Sequence, residues 1–307
     1  MVYPINLVKK DFLSSLDLTK IEIYQIFKIA EAIKNKSLTI DHKNKVLGLI
    51  FDKASTRTRV SFQVAMSKIG GITIDLNPNT SQIGRGEPIK DTARVLSRYC
   101  DVLAIRTYSQ EILYEYAKWS SIPVINALTD FEHPCQALAD YLTIKEEFHD
   151  FNDVVLTYVG DGNNVANSLI FCGSILGVEV RIACPKGYEP NHDVIKKAKM
   201  ILDNPNKLVV TNNVSEAVQG SNVIYTDVWA SMGQENILKS KEQKFKGFTI
   251  TSEIVNKALD NVIVMHCLPA YRNKEITDDV IDSSKSRIFS QAENRMHLQQ
   301  ALLSALL

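Results

Sequence analysis

Short apolar runs that alternate with amphipathic stretches are the feature that most constrains the fold of this chain. In the first half, the strand-like runs are VLGLIF, ITIDL, DVLAIRT and PVINAL. The stretches IKDTARVLSRY and QEILYEYAKW keep apolar residues at helical spacing, and Thr19 with Glu22 forms a capping box at the start of an earlier helix. This alternation predicts βα units around a mainly parallel sheet.

A second series of the same kind begins near residue 153. Its strand-like runs are VVLTYVG, VEVRIAC, KLVVT, NVIYTDV and NVIVMHCL, with helical segments near 163–176, 191–203 and 214–219. We therefore predict an α/β fold of two doubly wound parallel-sheet domains, residues 1–132 and 133–290, with an active-site cleft between them. The stretch HPCQALADYLTIKEEF bridges the two domains, and we expect a closing helix at 291–307 to pack back on the first domain.

Composition limits the classes of ligand. Lys plus Arg and Asp plus Glu both number 35, so no overall field would hold nucleic acid or an anionic membrane, and any anion site must be local. No stretch approaches 18 uninterrupted apolar residues, and the first residues do not read as a signal peptide. The five cysteines are scattered without a CxxC pair, which favours reduced thiols in a cytoplasmic protein over a zinc or redox site.

The segment STRTR, residues 55–59, follows the first strand-like run directly, where a helical pattern begins. Backbone N–H groups, the hydroxyls and the guanidinium of Arg57 at a helix start are suited to wrapping a phosphate. The alternative is an ordinary Ser or Thr helix cap followed by solvated arginines. The P-loop pattern GxxxxGK[ST] is absent.

Similar polar residues follow two later strands of the first half. Arg106 ends LAIRTY, and His133 and Gln136 lie in HPCQ, shortly after PVINALTD. For each of these residues taken singly, a purely structural role is the alternative to ligand binding. Because ligands gather beyond the carboxyl ends of parallel strands, three such clusters are expected to converge on one cleft.

The glycine-rich segment VGDGNNVANSL invites a dinucleotide-binding interpretation. Gly160 and Gly162 supply G-x-G, but Val165 occupies the third glycine position, and the next strand ends without an acidic residue for a ribose. A nucleotide-dependent oxidoreductase is therefore disfavoured. Asn163 and Asn164 suit hydrogen bonding to a small polar ligand, with helix capping as the alternative.

Two further strand ends carry polar groups. Asp227 follows NVIYT, with Ser231 and Met232 in the next loop, and an acidic residue there can hold an ammonium group. The last run ends in HCLP, where Cys267 by itself is more typical of a packed thiol than of a nucleophile. The bond from Leu268 to the following proline is a candidate for the cis form.

Taken together, STRTR, the Arg106 strand end, HPCQ, DVWASMG, HCLP and QAENRMH closely resemble the ornithine carbamoyltransferases, in that order and over nearly the whole chain. STRTR and HPxQ alone indicate the wider aspartate and ornithine carbamoyltransferase superfamily. The Asp-x-x-x-SMG loop and HCLP select ornithine within it.

The resemblance implies a role for each matched residue. It implies that residues 1–132 bind carbamoyl phosphate and residues 133–290 bind ornithine. The implied carbamoyl phosphate ligands are Ser55, Thr56, Arg57, Thr58, Gln82, Arg106, His133, Gln136, Cys267, Leu268 and Arg295. The implied ornithine ligands are Asn164, Asp227, Ser231 and Met232.

Physical chemistry adds catalytic roles to these assignments. Thr58, Arg106 and His133 can supply donors to an oxyanion, and Arg57 and Arg106 can stabilise the departing phosphate. Cys267 and Asp227 are our candidates for positioning the amine and taking its proton. Within STRTR, we expect Arg57 to face the ligand and Arg59 to be structural.

The sequence therefore predicts carbamoyl transfer from carbamoyl phosphate to L-ornithine, in arginine biosynthesis or in the reverse catabolic direction, without a metal or an organic cofactor. The resemblance implies a homotrimer in which Gln82 completes a neighbour's site, with no nucleic acid or membrane partner. A carbamoyltransferase for another amine such as putrescine is the alternative, and a non-catalytic binding protein is a third.

Overall fold

The chain folds into two compact units. The computed structural model describes residues 7–53, 55–77, 86–229 and 241–307. The first unit comprises Met1–Ala139 with Asn294–Leu307, and the second comprises Asp140–Glu293. These limits fall inside two helices, so they lie at other residues than the sequence-derived limits of 132 and 290.

The first unit contains a four-stranded parallel sheet in the order β2-β1-β3-β4. Its strands are β1 (Val46–Phe51), β2 (Ile72–Leu76), β3 (Val102–Arg106) and β4 (Val124–Leu128). Its helices are α1 (Lys20–Lys34), α2 (Arg57–Lys68), α3 (Ile89–Leu96) and α4 (Gln110–Trp119), preceded by a 3₁₀ turn at Ser15–Asp17. α5 (Pro134–Phe148) and α11 (Ile288–Leu306) contribute residues to both units.

The second unit contains a five-stranded parallel sheet in the order β7-β6-β5-β8-β9. Its strands are β5 (Val155–Val159), β6 (Glu179–Ala183), β7 (Leu208–Thr211), β8 (Val223–Thr226) and β9 (Ile263–His266). Its helices are α6 (Asn164–Leu176), α7 (His192–Ile201), α8 (Val214–Ala217), α9 (Ser252–Val255) and α10 (Asp278–Ile281), with a 3₁₀ turn at Pro205–Lys207. The predicted fold class, two α/β domains with parallel sheets, is confirmed.

The burial of the strands explains why they were recognisable in the sequence. Every residue of β8 and β9 is buried, as is expected of parallel strands covered on both faces. β2 is the exception, because it lies at the edge of its sheet and most of its residues are exposed. In the second unit Phe245 anchors an aromatic cluster, with its ring 4.9 Å from that of Tyr188 and 5.4 Å from that of Trp229.

Local signals fix several helix ends. The capping box predicted at Thr19 is present: Thr19 Oγ1 accepts from the Glu22 N–H, and the Glu22 carboxylate accepts from the Thr19 N–H at 2.7 Å. α6 ends at Gly177, whose φ of 83° is the left-handed conformation that glycine favours. None of the helices in the described ranges is both long enough and apolar enough to cross a membrane.

Candidate active site

The polar residues of the first unit follow three neighbouring strands. β1, β3 and β4 are adjacent and parallel, so their carboxyl ends lie along one edge of the sheet. Ser55 follows β1, Arg106 is the last residue of β3, and His133 comes shortly after β4. The convergence expected from the sequence is therefore present within this unit.

Two guanidinium groups meet at the hydroxyl of Thr58, on the first turn of α2. Arg106 Nη1 donates to Thr58 Oγ1 at 3.3 Å and to Ser55 Oγ at 3.2 Å, and Arg295 Nη2 donates to Thr58 Oγ1 at 2.8 Å. Thr58 and Arg295 are both buried. In the described part of the chain, Arg106 Nε is also buried and has no acceptor, so this arginine retains a donor for a ligand.

The side chains of the STRTR segment differ in their hydrogen bonds at the start of α2. Thr56 precedes α2, but its side chain makes no capping hydrogen bond and is exposed. The hydroxyls of Ser55 and Thr58 instead accept from Arg106. The ordinary helix cap that the sequence left open is therefore not formed by Thr56.

The positively charged groups of this cluster repel one another, and this repulsion disfavours the charged form of Arg106. The pKa of Arg106 is lowered to about 10 by burial, then by Arg295, Arg57 and Arg59. A guanidinium with this pKa keeps its charge at neutral pH, so the cluster gains stability when an anion binds.

His133 and Gln136 lie at the start of α5, and both are buried. The turn before His133 is held by Thr129 Oγ1, which accepts from the Glu132 N–H at 3.1 Å, while the Glu132 carboxylate accepts from the Ser15 N–H at 2.9 Å. Burial, together with Arg295 and Arg106, keeps the pKa of His133 well below 6.5. The imidazole is therefore neutral and adds no further positive charge to the cluster.

Arg59 is engaged away from this cluster of hydroxyls. Its guanidinium forms an ion pair with Asp75 on β2 and lies over the Phe51 ring at 4.9 Å. Arg57 forms no ion pair with any residue that the structure describes. These contacts support the sequence-derived division of roles between the two arginines.

The polar residues of the second unit follow β5, β8 and β9, which are also adjacent and parallel. Asn163 Oδ1 accepts from the N–H groups of Val165 and Ala166, so this residue is the N-cap of α6. Its Nδ2 donates to Asp227 Oδ2 at 2.9 Å. Asn164, the predicted ornithine ligand, is the first residue of α6.

Asp227 receives a second hydrogen bond from the thiol of Cys267. Cys267 Sγ donates to Asp227 Oδ1 at 3.1 Å, so among the described residues each carboxylate oxygen has one side-chain donor. Burial, followed by the charges of Asp227 and Asp140, raises the pKa of Cys267 well above 9. At neutral pH this thiol is a proton donor and not a thiolate base.

The turn after β9 is held by a buried pair, His266 and Glu275. His266 Nδ1 accepts from the Leu268 N–H at 2.9 Å, and Nε2 lies 3.1 Å from Glu275 Oε1. Leu268 has a φ of 59°, an uncommon value for a residue other than glycine, and the bond from Leu268 to Pro269 is cis, as the sequence suggested. The His266 contact therefore stabilises an unusual backbone conformation beside Cys267.

Asp227, His266 and Cys267 also place three potential metal ligand atoms within 4.8 Å of one another. Both ring nitrogens of His266 are already engaged, one by Leu268 and one by Glu275. A metal ion at these three residues would have to displace one of those bonds.

The structure describes only part of the predicted residue set. Gln82, Ser231 and Met232 lie outside the described residues. The sequence did not reveal that Asn163 holds Asp227 or that Glu275 holds His266. Asn163 stood next to a predicted ligand and had capping as its open alternative, whereas no local pattern marked Glu275.

Comparison with known proteins places the whole chain in one family. Residues 10–146 match the family model for the carbamoyl-P binding domain of aspartate/ornithine carbamoyltransferase, and residues 152–306 match the model for its Asp/Orn binding domain. An ornithine carbamoyltransferase of Prochlorococcus marinus subsp. pastoris is 68% identical over 307 residues, which is 100% of both chains. One from a Nostoc species is 53% identical over 98% of both chains.

Solved structures of the same family resemble this chain over nearly its whole length. The ornithine carbamoyltransferase of Pyrococcus furiosus superposes with a TM-score of 0.93 and 45% identity, over 98% of both chains. That of Gloeobacter violaceus superposes with a TM-score of 0.88 and 45% identity, over 97% of this chain and 98% of the other.

Proposed function

Because the chain belongs to the aspartate/ornithine carbamoyltransferase family, and within it to the ornithine carbamoyltransferases, we propose that it transfers the carbamoyl group of carbamoyl phosphate to the δ-amine of L-ornithine. The products are L-citrulline and phosphate. The observation that carries the proposal is the meeting of Arg106 and Arg295 at the Thr58 hydroxyl. A buried guanidinium, that of Arg295, and a half-buried one, that of Arg106, around hydroxyl groups suit a doubly charged phosphate.

The first unit stabilises the charges that develop during transfer. The amine nitrogen attacks the carbonyl carbon, the carbonyl oxygen becomes an oxyanion, and the bond from carbon to the phosphate oxygen then breaks. Thr58, Arg106 and His133 donate to the oxyanion, while Arg57 and Arg106 compensate the charge on the leaving phosphate. His133 is neutral, so it acts as a hydrogen-bond donor and not as a counter-ion.

The second unit prepares the amine. A free amine of this kind has a pKa of roughly 10.4, so it must lose a proton before it attacks. We assign the proton acceptor's role to Asp227, because the raised pKa of Cys267 leaves that thiol protonated. Cys267 then serves as the donor that orients the carboxylate. Asn164, Ser231 and Met232 remain the proposed contacts of the ornithine α-carboxylate.

The setting of the enzyme is part of the same proposal. All five cysteines are free thiols, which supports a reducing cytoplasm. We place the reaction in arginine biosynthesis and the protein in a homotrimer, with Gln82 of one subunit completing the carbamoyl phosphate site of the next. Exposed apolar side chains on α2 and β2, namely Val60, Val64, Ile72 and Ile74, support an interface that involves these two elements.

The proposal is tested with purified protein, carbamoyl phosphate and, in parallel, ornithine, putrescine or aspartate. Phosphate release and product identity are measured for each amine. We expect ornithine to have the highest kcat/KM and citrulline to form in step with phosphate. A higher kcat/KM with putrescine or aspartate would show that the substrate assignment is wrong.

A pair of variants at Thr58 tests whether the hydroxyl at which Arg106 and Arg295 meet takes part in the reaction. Thr58→Val keeps the shape but removes the hydroxyl, whereas Thr58→Ser keeps the hydroxyl. Loss of a donor to the oxyanion costs about 10²–10³ in kcat. We therefore expect that loss in T58V and near wild-type turnover in T58S, and equal turnover in the two variants would exclude the hydroxyl from the reaction.

A further inference from the structure

A buried polar network lies behind the Cys267 and Asp227 pair of the second unit. Tyr225 Oη donates to Asp140 Oδ2 at 3.0 Å, and Gln291 Nε2 donates to Asp140 Oδ1 at 2.7 Å. Gln291 Nε2 also lies 3.1 Å from Tyr225 Oη. All three side chains are 0% exposed. The network therefore joins α5, β8 and α11 inside one unit.

The network contacts both strands that end in the proposed site. Gln291 Oε1 accepts from the backbone N–H of His266 at 2.9 Å, and His266 directly precedes Cys267. Tyr225 lies on β8, two residues before Asp227, which follows the end of this strand. The Tyr225 ring stacks on that of Tyr158, with 5.8 Å between the ring centroids. Movement of this network would therefore shift the backbone that carries the thiol.

A buried carboxylate is costly unless donors satisfy it. Here the Tyr225 hydroxyl and the Gln291 amide, both neutral, each donate to one oxygen of Asp140, so the carboxylate fixes the orientation of both side chains. The amide of Gln291 has only one orientation in which its nitrogen reaches Asp140 and its oxygen reaches the His266 N–H.

We propose that Asp140 is a positioning residue for carbamoyl transfer: by holding Tyr225 and Gln291, it keeps the Cys267 thiol aimed at Asp227. The inference rests on the proposed function for its catalytic consequence. Its structural part concerns the thiol alone and can be measured without any substrate.

Several titratable groups face the Cys267 thiol. Asp227 and Asp140 raise its pKa after the effect of burial, and the Tyr225 hydroxyl works in the opposite direction. Tyr158 faces the same group, and its own pKa is also raised well above 10 by burial, then by Asp227 and Asp161. Removal of the Asp140 charge is therefore expected to ease ionisation of the thiol.

The test compares Asp140→Asn and Tyr225→Phe with Tyr141→Phe. Tyr141 is the matched control, because it is the next residue on α5 and its buried hydroxyl donates to the Leu169 carbonyl at 2.8 Å and not to Asp140. Iodoacetamide labelling of Cys267 is followed against pH by peptide mass spectrometry, with Cys267→Ser as the blank. The four other cysteines are buried.

We expect the midpoint of Cys267 labelling to move to lower pH in D140N and to stay unchanged in Y141F. We expect kcat to fall on the order of tenfold in both D140N and Y225F, as when a side chain that orients a reacting group is lost. The KM for carbamoyl phosphate should stay unchanged. Y225F keeps the ring and both carboxylates, so it tests the network even if D140N folds poorly.

An unchanged labelling midpoint in D140N, or a kcat in Y225F equal to that of Y141F, would overturn the inference. Failure of the proposed function gives a different result, namely a wild-type protein that makes no citrulline while its thiol still responds to D140N.

Discussion

Arg57 and Arg59 stand two positions apart on α2, and their surroundings give them different tasks. Arg59 is paired with Asp75 and covers the Phe51 ring. Arg57 forms no ion pair with any residue that the structure describes, and both arginines contribute to the field that lowers the pKa of Arg106. We expect Arg57→Ala to raise the KM for carbamoyl phosphate on the order of tenfold to a hundredfold, the typical effect of losing a charged hydrogen bond to a ligand.

Arg59→Ala is the matched control in the same assay. It removes a partly exposed ion pair and a ring contact, so we expect it to lower the free energy of unfolding by about 1 kcal/mol or less and to leave the KM unchanged. If the two variants raise the KM equally, the division of roles is wrong. Urea unfolding of both proteins separates the effect on stability from the effect on binding.

His133 makes the stability of the first unit depend on acid. Its folded-state pKa lies well below 6.5, so the folded protein stays unprotonated there while the unfolded chain takes up a proton below about 6.5. The unfolded state then binds more protons, and the free energy of unfolding falls by about 1.4 kcal/mol per pH unit below that point. Above it, this contribution does not change with pH.

We expect His133→Gln to flatten this part of the pH dependence, measured as the urea midpoint at pH 7 and at pH 5.5. His42→Gln is the comparison, because burial lowers the pKa of His42 as well, but not as far. A wild-type slope in H133Q would show that this imidazole is not the group that resists protonation.

At the residue scale, the sequence revealed the chemistry of the site better than its contacts. Residue type and position after a strand were enough to select Thr58 and Arg106. The bond from Arg295 to Thr58 joins residues 237 positions apart, and no local pattern carries that information. Asn163 was ambiguous for a different reason, because one amide both caps a helix and donates to Asp227.

α6 depends on Asn163 for its start, and Asp227 depends on the same side chain for its orientation. Serine caps a helix about as well as asparagine but cannot reach Asp227 with an N–H donor. We expect Asn163→Ser to retain stability and Asn163→Ala to lose about 1 kcal/mol. Both variants should raise the KM for ornithine.

Thermal unfolding and ornithine titration of the two proteins separate the cap from the anchor. A wild-type KM for ornithine in N163S would mean that the bond to Asp227 does not matter for binding. A loss of stability in N163S equal to that in N163A would mean that the cap contributes little to α6.

Elements were predictable where burial imposed a pattern on the sequence. All nine described strands were recognised as apolar runs. Strands such as β8 and β9, which are covered on both faces, need continuous apolar sequence, whereas β2 was recognised although most of its residues are exposed. α9 and α10, with four residues each, were missed, although α8, which is equally short, was predicted near 214–219. The unit limits lie inside α5 and α11, where an uninterrupted helix gives no sign of a boundary.

At the scale of the whole molecule, β2 is the element that a lone subunit explains least well. Ile72 is 58% exposed and Ile74 is 42% exposed on a strand at the edge of the described sheet. Such an edge favours association unless it is covered.

We expect Ile72→Asp to dissociate the proposed trimer, as measured by sedimentation velocity. Ile21→Asp, at a 72% exposed position of α1 in the same unit, should leave the assembly intact, and equal behaviour of the two variants would exclude β2 from the interface.

A shared active site makes a sharper prediction about the trimer. Suppose that each site joins Thr58 of one subunit to Gln82 of its neighbour. Thr58→Val and Gln82→Ala homotrimers then both lack intact sites. In a mixed trimer, a subunit with Gln82→Ala keeps its own Thr58 and can receive Gln82 from an adjacent subunit with Thr58→Val. By symmetry, about one site in three is then intact.

We therefore expect citrulline formation to rise above that of either parent when the two variants are dissociated, mixed and reassembled. Mixing Thr58→Val with Arg106→Gln restores nothing if both residues serve the same subunit's site, so recovery with that pair, or none with the first pair, would refute sharing through Gln82.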